Sequence, residues 1–201
     1  MKILTPEQIR EIDLRAIRDY KIPSLSLMQM AGEAVADAAE GLLKARGLKG
    51  PVGIVTGKGN NGGDGFTAAC ILAERDIPSH VLMLFRDKDL SKDARHFYRK
   101  AKTCKAVRMH DSSTSALLRK NIPLLRDCEA VLDAIVGTGF RGTPEGVIAE
   151  AIDAINLFGK TVIAVDVPSG LDAATGKADK AVMADCTVTM GFFKSGFLLG
   201  E

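Results

Sequence analysis

The chain contains no tryptophan, two tyrosines and three histidines in 201 residues. So few large rings leave no aromatic-interleaved basic patch of the kind that stacks nucleic-acid bases. The histidines (His80, His96, His110) are scattered, and Cys70, Cys104, Cys128 and Cys186 show no CxxC spacing, so no zinc-type ligand pattern is present. The thiols read as reduced, mostly core residues of a cytoplasmic protein. Charge of one sign is also lacking: 27 Lys and Arg against 25 Asp and Glu leave +2. Neither nucleic acid nor a membrane surface is therefore expected as a partner. Apolar runs such as 81–85 and 161–165 are strand-sized, far below the ~20 residues of a membrane span. Residues 1–7 carry no apolar signal-peptide segment. What remains is ordinary folded composition, 46% hydrophobic and 26% charged, at a length that suits one domain over 1–201.

Hydrophobic periodicity alternates between helical and strand spacing. Thr5-Pro6-Glu7-Gln8 is a capping box with proline at the first helical position. Ile9, Ile12, Ala16 and Ile17 follow at helical spacing until Pro23. A second, alanine-rich helix is expected over 26–44. Strands are then expected at 52–56, 81–85, 106–109, 130–136, 161–166 and 184–190, with helices at 64–74, 91–102, 115–121 and 145–158 between them. This alternation predicts an α/β, Rossmann-like three-layer fold. A mostly parallel sheet is covered by helices on both faces, and two extra N-terminal helices add further cover. Ligands of such sheets bind at the carboxyl ends of the strands where strand order reverses.

Three loops at that edge carry polar chemistry. Gly57-Lys58-Gly59-Asn60-Asn61-Gly62-Gly63-Asp64-Gly65 satisfies GxGxxG between a strand and a helix, with Asp87 as the matching ribose-binding acid. Yet Asp64 reads as an N-cap carboxylate that would fill the helix amides and repel a pyrophosphate. The two Asn and the Asp suit a neutral amide, a hydroxyl or a hard cation better. A tight turn in which they merely tolerate positive φ is the plain alternative. In the second loop Asp133 ends an apolar strand, and Gly137, Thr138, Gly139, Phe140, Arg141, Gly142 and Thr143 follow. Their glycines and the Arg141 fork place the phosphates of a ligand there. In the third loop Asp166 also ends a strand, and Pro168-Ser169-Gly170 presents a hydroxyl. Ser169 lacks the setting of a nucleophile and reads as an oxygen ligand or hydrogen-bonding group.

Taken together these motifs resemble the NAD(P)H-hydrate epimerase family, also called the YjeF N-terminal domain. Leu27-Met28-Gln29-Met30-Ala31-Gly32 resembles that family's second-helix signature, with Gln29 and Met30 departing from the usual residues. Thr187-Val188-Thr189-Met190-Gly191-Phe192-Phe193-Lys194-Ser195-Gly196 resembles its closing one. The resemblance implies an isomerase that interconverts the R and S forms of hydrated NADH or NADPH. It implies substrate contacts at Asn60, Asn61, Gly62, Gly63 and Asp64, at the loop from Gly137 to Thr143, and at Asp166. It also implies a potassium ion at Asn61, Asp133 and Ser169. Asp64 and Asp166 are then the candidates for acid/base work, with Asp133 held by the ion. A homodimer and a fused or separate ATP- or ADP-dependent dehydratase are the implied partners. Lys194 is expected either to contact phosphate or to be solvated. A non-catalytic nucleotide-binding or dimerisation module of the same fold is the main competitor, and the presence of all three acids weighs against it. An ordinary NAD(P)-dependent oxidoreductase would need a catalytic Tyr-Lys pair or a His at the sheet edge. Tyr20 and Tyr98 fall in expected helices away from that edge.

Overall fold

A computed structural model describes residues 2–199; Met1, Gly200 and Glu201, the two ends of the expected 1–201 domain, lie outside the described residues. The chain opens with β1 (Ile3–Leu4) and α1 (Pro6–Arg18), then α2 (Ser24–Ala45), β2 (Val52–Thr56) and α3 (Asn60–Glu74). β3 (Ser79–Met83), α4 (Lys92–Thr103), β4 (Val107–Asp111), α5 (Ser115–Asn121) and β5 (Ala130–Ala134) continue the alternation. α6 (Gly146–Leu157), β6 (Thr161–Val165), β7 (Cys186–Val188), β8 (Phe193–Lys194) and α7 (Gly196–Leu199) complete it. The capping box forms as expected: Gln8 N–H donates to Thr5 Oγ1 at 3.3 Å, and Thr5 N–H donates to Gln8 Oε1 at 2.9 Å.

The main sheet has six strands in the order β4-β3-β2-β5-β6-β7, and every adjacent pair is parallel. Parallel strands must be covered on both faces, and two apolar layers do this. One joins Val35, Phe66 and Leu72 of α2 and α3 to Ile54, Leu132 and Ala134. The other joins Leu118, Ile152 and Ile155 of α5 and α6 to Val55, Val131 and Ile135. The alternation along β5 therefore puts Asp133 on the second face. Strand order reverses between β3 and β5 on either side of β2, so the carboxyl ends of β2, β5 and β6 frame the switch point.

Three differences from the sequence reading matter. First, α3 begins at Asn60 rather than at Asp64. Its N-cap is Gly59, and Gly63 N–H donates to Gly59 O at 3.1 Å. Asp64 thus lies in the second turn and caps nothing, so the argument that it repels a pyrophosphate fails. The glycines allow close approach: a methyl group on Gly62 would lie 2.1 Å from Gly57 O. Second, the two N-terminal helices differ. α2 packs into the core beside α3, but α1 leaves Ile12, Leu14 and Ile17 exposed. Third, β1 and β8 form a separate two-stranded parallel sheet, with Leu4 paired to Lys194. Two-residue strands are too short to show a period, so hydrophobic patterning does not reveal them.

Candidate active site

The three polar loops meet on one short stretch, residues 136–138, just past β5. Ser169 Oγ lies 3.0 Å from both Val136 N and Val136 O. A methyl group on Gly137 would lie 3.1 Å from Asn61 Oδ1 and 3.1 Å from Asp166 Oδ2, so these side chains face the same glycine from opposite loops. Thr138 donates to Asp166 Oδ2 through its backbone N–H at 3.3 Å and through its hydroxyl. Gly137 leaves open the small space between amide and carboxylate that a side chain would fill.

Asp133 and Ser169 form a closed pair beneath this stretch. Ser169 Oγ donates to Asp133 Oδ1 at 2.6 Å, Ser169 N–H to Oδ2 at 2.7 Å, and Ile135 N–H to Oδ1 at 3.3 Å. Asp133 has no solvent exposure, and burial pushes its pKa up to about 6 against the opposing hydrogen bonds. All of its partners are neutral donors, so its charge is solvated but not balanced. Asn61 is the opposite case: buried, with neither its Nδ2 nor its Oδ1 paired. An unpaired buried amide is rare in a folded protein and points to a group it is shaped to meet. The Asn61 amide oxygen, the Asp133 carboxylate and the Ser169 hydroxyl are all hard-oxygen atoms, the donor type that hard cations take.

Asp64 and Asp166 occupy contrasting environments. Asp64 is buried, and its pKa lies well above the ordinary carboxyl value because of desolvation first, then Asp166, then Asp13. None of these causes is opposed, so the fold favours the protonated form of Asp64. Asp166 is held from all sides. Oδ1 accepts from Lys194 Nζ at 2.5 Å and from Met190 N–H at 3.3 Å, while Oδ2 accepts from Thr138. Asp166 also adopts φ 67°, in the left-handed region; the other non-glycine residues there, Lys21 and Asp76, are exposed.

The remaining expected contacts divide. Asn60 is exposed, and its Oδ1 accepts from Ser91 Oγ at 3.4 Å, away from Asn61. Gly62 backs onto Gly57, and Gly63 packs against Met28 and Ala94, so both serve helix packing. Gly139, Phe140, Arg141, Gly142 and Thr143 run outward along the mouth. Arg141 is not a free fork: it donates to Thr138 O at 3.0 Å, Phe140 O at 2.8 Å and Glu7 Oε1 at 3.0 Å, bracing the loop against α1. Thr143 donates to Asp179 at 2.6 Å. Asp87 pairs with Arg95 at 3.3 Å in a short 3-10 turn. Lys194 is neither solvated nor open to phosphate; it is completely buried against Asp166.

Two groups escaped sequence reasoning. The hydroxyl of Thr138 was grouped with its loop rather than with Asp166. Asp13 is one of many polar residues on α1, with no motif to mark it. It is exposed at the mouth, yet partial desolvation and then Asp166 raise its pKa.

A Rossmann-like α/β domain that brings a desolvated acid and a buried ion pair to its switch point has the architecture of an enzyme with its site at the carboxyl edge of the sheet. The chain belongs to the family described as YjeF-related protein N-terminus, which matches residues 24–196. It is 36% identical to the bifunctional NAD(P)H-hydrate repair enzyme Nnr of Moorella thermoacetica, over 99% of this chain and 38% of that protein. It thus spans little more than a third of the bifunctional relatives. Against the NAD(P)H-hydrate epimerase of Limosilactobacillus reuteri it is 36% identical, covering 97% of this chain and 87% of the relative. The epimerase of Elusimicrobium minutum is 32% identical over 98% and 89%. The crystal structure of yeast YNL200c superposes with a TM-score of 0.85 at 22% identity, covering all of this chain and 85% of the other, which establishes the shared fold.

Proposed function

We propose that this protein is an NAD(P)H-hydrate epimerase, interconverting the R and S forms of hydrated NADH and NADPH. The carrying observation is the pair of carboxyl groups in contrasting environments: Asp64 buried and desolvated with its pKa raised, Asp166 held by Lys194 beside Gly137. Two acids tuned apart in this way divide the roles. Asp64 protonates the substrate hydroxyl, which leaves as water while the ring nitrogen's lone pair forms a C=N bond. Asp166 faces the resulting cation as a fixed negative charge. Water then adds to the opposite face of the ring and releases its proton to solvent, from which the Asp64 carboxylate is reprotonated, so protons balance over the cycle. Asn61 supplies the amide that orients the reacting ring, and the mouth residues Gly139 to Thr143 receive the rest of the nucleotide. The names of the relatives, which cover nearly the whole chain, support this chemistry.

The direct test supplies the isolated R epimer to the purified protein and follows the S epimer. Conversion well above the spontaneous rate is expected. Binding without conversion would identify a non-catalytic module instead.

The alkaline limb of the rate profile gives a second prediction. Since Asp64 acts as an acid and its pKa is raised, activity falls as pH rises through that pKa. Asp13 contributes to the elevation, so Asp13→Asn should move this limb to lower pH, readable in kcat against pH. An unmoved limb would remove Asp13 from the site's field.

Asn61 Oδ1, Asp133 and Ser169 Oγ would hold a potassium ion, whose positive charge would balance Asp133. A saturating site at ~100 times its Kd stabilises by about 2.7 kcal/mol, roughly 5–10 °C at this size. The melting temperature should therefore rise in potassium over sodium buffer, and Ser169→Ala should abolish the difference. Equal melting curves in both salts would dismiss the ion. A cytoplasmic location agrees with thiols that are all free and with the absence, among the described residues, of a helix long and apolar enough to cross a membrane. The exposed Ile12, Leu14 and Ile17 of α1 support a homodimer, which sedimentation at twice the 21.4 kDa chain mass would establish. The bifunctional relatives support a dehydratase as functional partner, fused or separate.

A further inference from the structure

Lys194 is among the largest fully buried side chains, and it is charged. Its ammonium has three N–H groups and three acceptors: Asp166 Oδ1 at 2.5 Å, Thr189 Oγ1 at 2.6 Å and Met190 O at 2.9 Å. No donor is left over for a ligand, so Lys194 cannot act on substrate itself. Burying an ammonium is costly, and apolar replacements of buried ion pairs are often neutral or stabilising, so stability alone is a poor reason for its presence. Its placement depends on a separate piece of architecture. β8, which carries it, lies outside the main sheet and pairs with β1; Ser195 N–H donates to Leu4 O at 3.0 Å, extending that pairing by one residue.

We propose that Lys194 is a positioning residue for the epimerisation: it fixes Asp166 as a carboxylate in its left-handed backbone conformation, facing Gly137 and Asn61, and it does so from a strand that the N-terminal segment holds in place. Three features converge on this. All the donors of Lys194 are committed. The Asp166 oxygens are shared between Lys194 and Met190 on one side and Thr138 on the other, which aims the carboxyl group. The left-handed φ of Asp166 is held by those contacts together with its N–H bond to Val188 O at 2.8 Å. The field of Asp166 is also one cause of the raised proton affinity of Asp64, so the placement of Asp166 bears on both acids.

This inference rests on the epimerase reading, and wild-type turnover of the R epimer, measured alongside, separates the failure of one from the failure of the other. In Lys194→Ala, kcat should fall about 100-fold or more with a much smaller change in KM, since a charge aimed at the cation is lost. Ethylammonium should restore at least about tenfold of kcat by occupying the vacated space, and should do nothing in Asp166→Asn/Lys194→Ala. A side chain needed only for packing would give no such charge-specific rescue. The neutral pair Asp166→Asn/Lys194→Met covers the case in which Lys194→Ala fails to fold, and its kcat should match that of Asp166→Asn within about threefold. Two results would overturn the proposal: a Lys194→Ala enzyme as fast as the wild type, or a double variant at least about tenfold slower than Asp166→Asn, which would mean that the lysine acts independently of the carboxylate.

Discussion

Asp64→Asn should lower epimerisation about 1,000-fold while leaving the melting temperature at or above that of the wild type. The size follows from removing a positioned proton donor, which typically contributes 10²–10⁴-fold, or about 4 kcal/mol of barrier at the middle of that range. The stability half follows from the environment. Burial, Asp166 and Asp13 all disfavour the ionised form of Asp64, and nothing nearby compensates. A neutral amide of the same shape replaces a group whose ionised form the fold disfavours, so little is lost and some desolvation cost is relieved. Turnover from the R epimer together with a thermal melt decides the matter. Retention of activity within threefold of the wild type would move the acid role elsewhere, and a collapsed melt would make Asp64 a structural group. Asp166→Asn is a poorer probe of the same question, because it leaves the Lys194 ammonium buried without its counterion.

Gly57→Ala should destabilise the whole protein and silence it, by a purely steric route. Gly57 follows β2 directly, and its N–H donates to Ala134 O at 3.0 Å, extending the β2–β5 ladder by one residue. A methyl group on it would lie 1.8 Å from Ile135 O, which is backbone and cannot swing away. Separating the strands there costs about 3 kcal/mol or more, roughly a 10 °C fall in melting temperature for a chain of this size. Ile135 leads straight into residues 136–138, where Ser169, Asn61 and Asp166 converge, so the displacement also spreads the site apart. The expected signature is a lowered melt together with lost turnover. A variant that melts like the wild type would show that the strands part more easily than this packing allows.

Much of this was legible before any coordinates. The β-branched runs, the capping box of Thr5 and Gln8 and the spacing of glycines are local signals, and local signals report element type and order. The six strands of the main sheet follow from them, with ends displaced by a few residues because strand termini are set by pairing partners. The motifs also marked Asn61, Asp64, Asp133, Asp166 and Ser169, since polar residues at the ends of apolar strands stand out against their surroundings. The start of α3 was misplaced for the converse reason. Gly62 and Gly63 read as a loop, and only the close approach of Gly57, Met28 and Ala94 makes glycine the residue that a helix needs there.

The amino-acid sequence by itself determined the layered α/β architecture, the edge at which chemistry occurs and the oxygen-rich character of that edge, because periodicity, turn chemistry and side-chain type are properties of neighbours along the chain. The electrostatic surroundings of each acid come from tertiary structure. What raises the proton affinity of Asp64, why Asp133 rests on Ser169, and that Lys194 is paired with Asp166 rather than hydrated all depend on burial and on partners dozens of residues away. Desolvation and Coulomb interactions act through space, and the fold brings those distances down to a few ångströms.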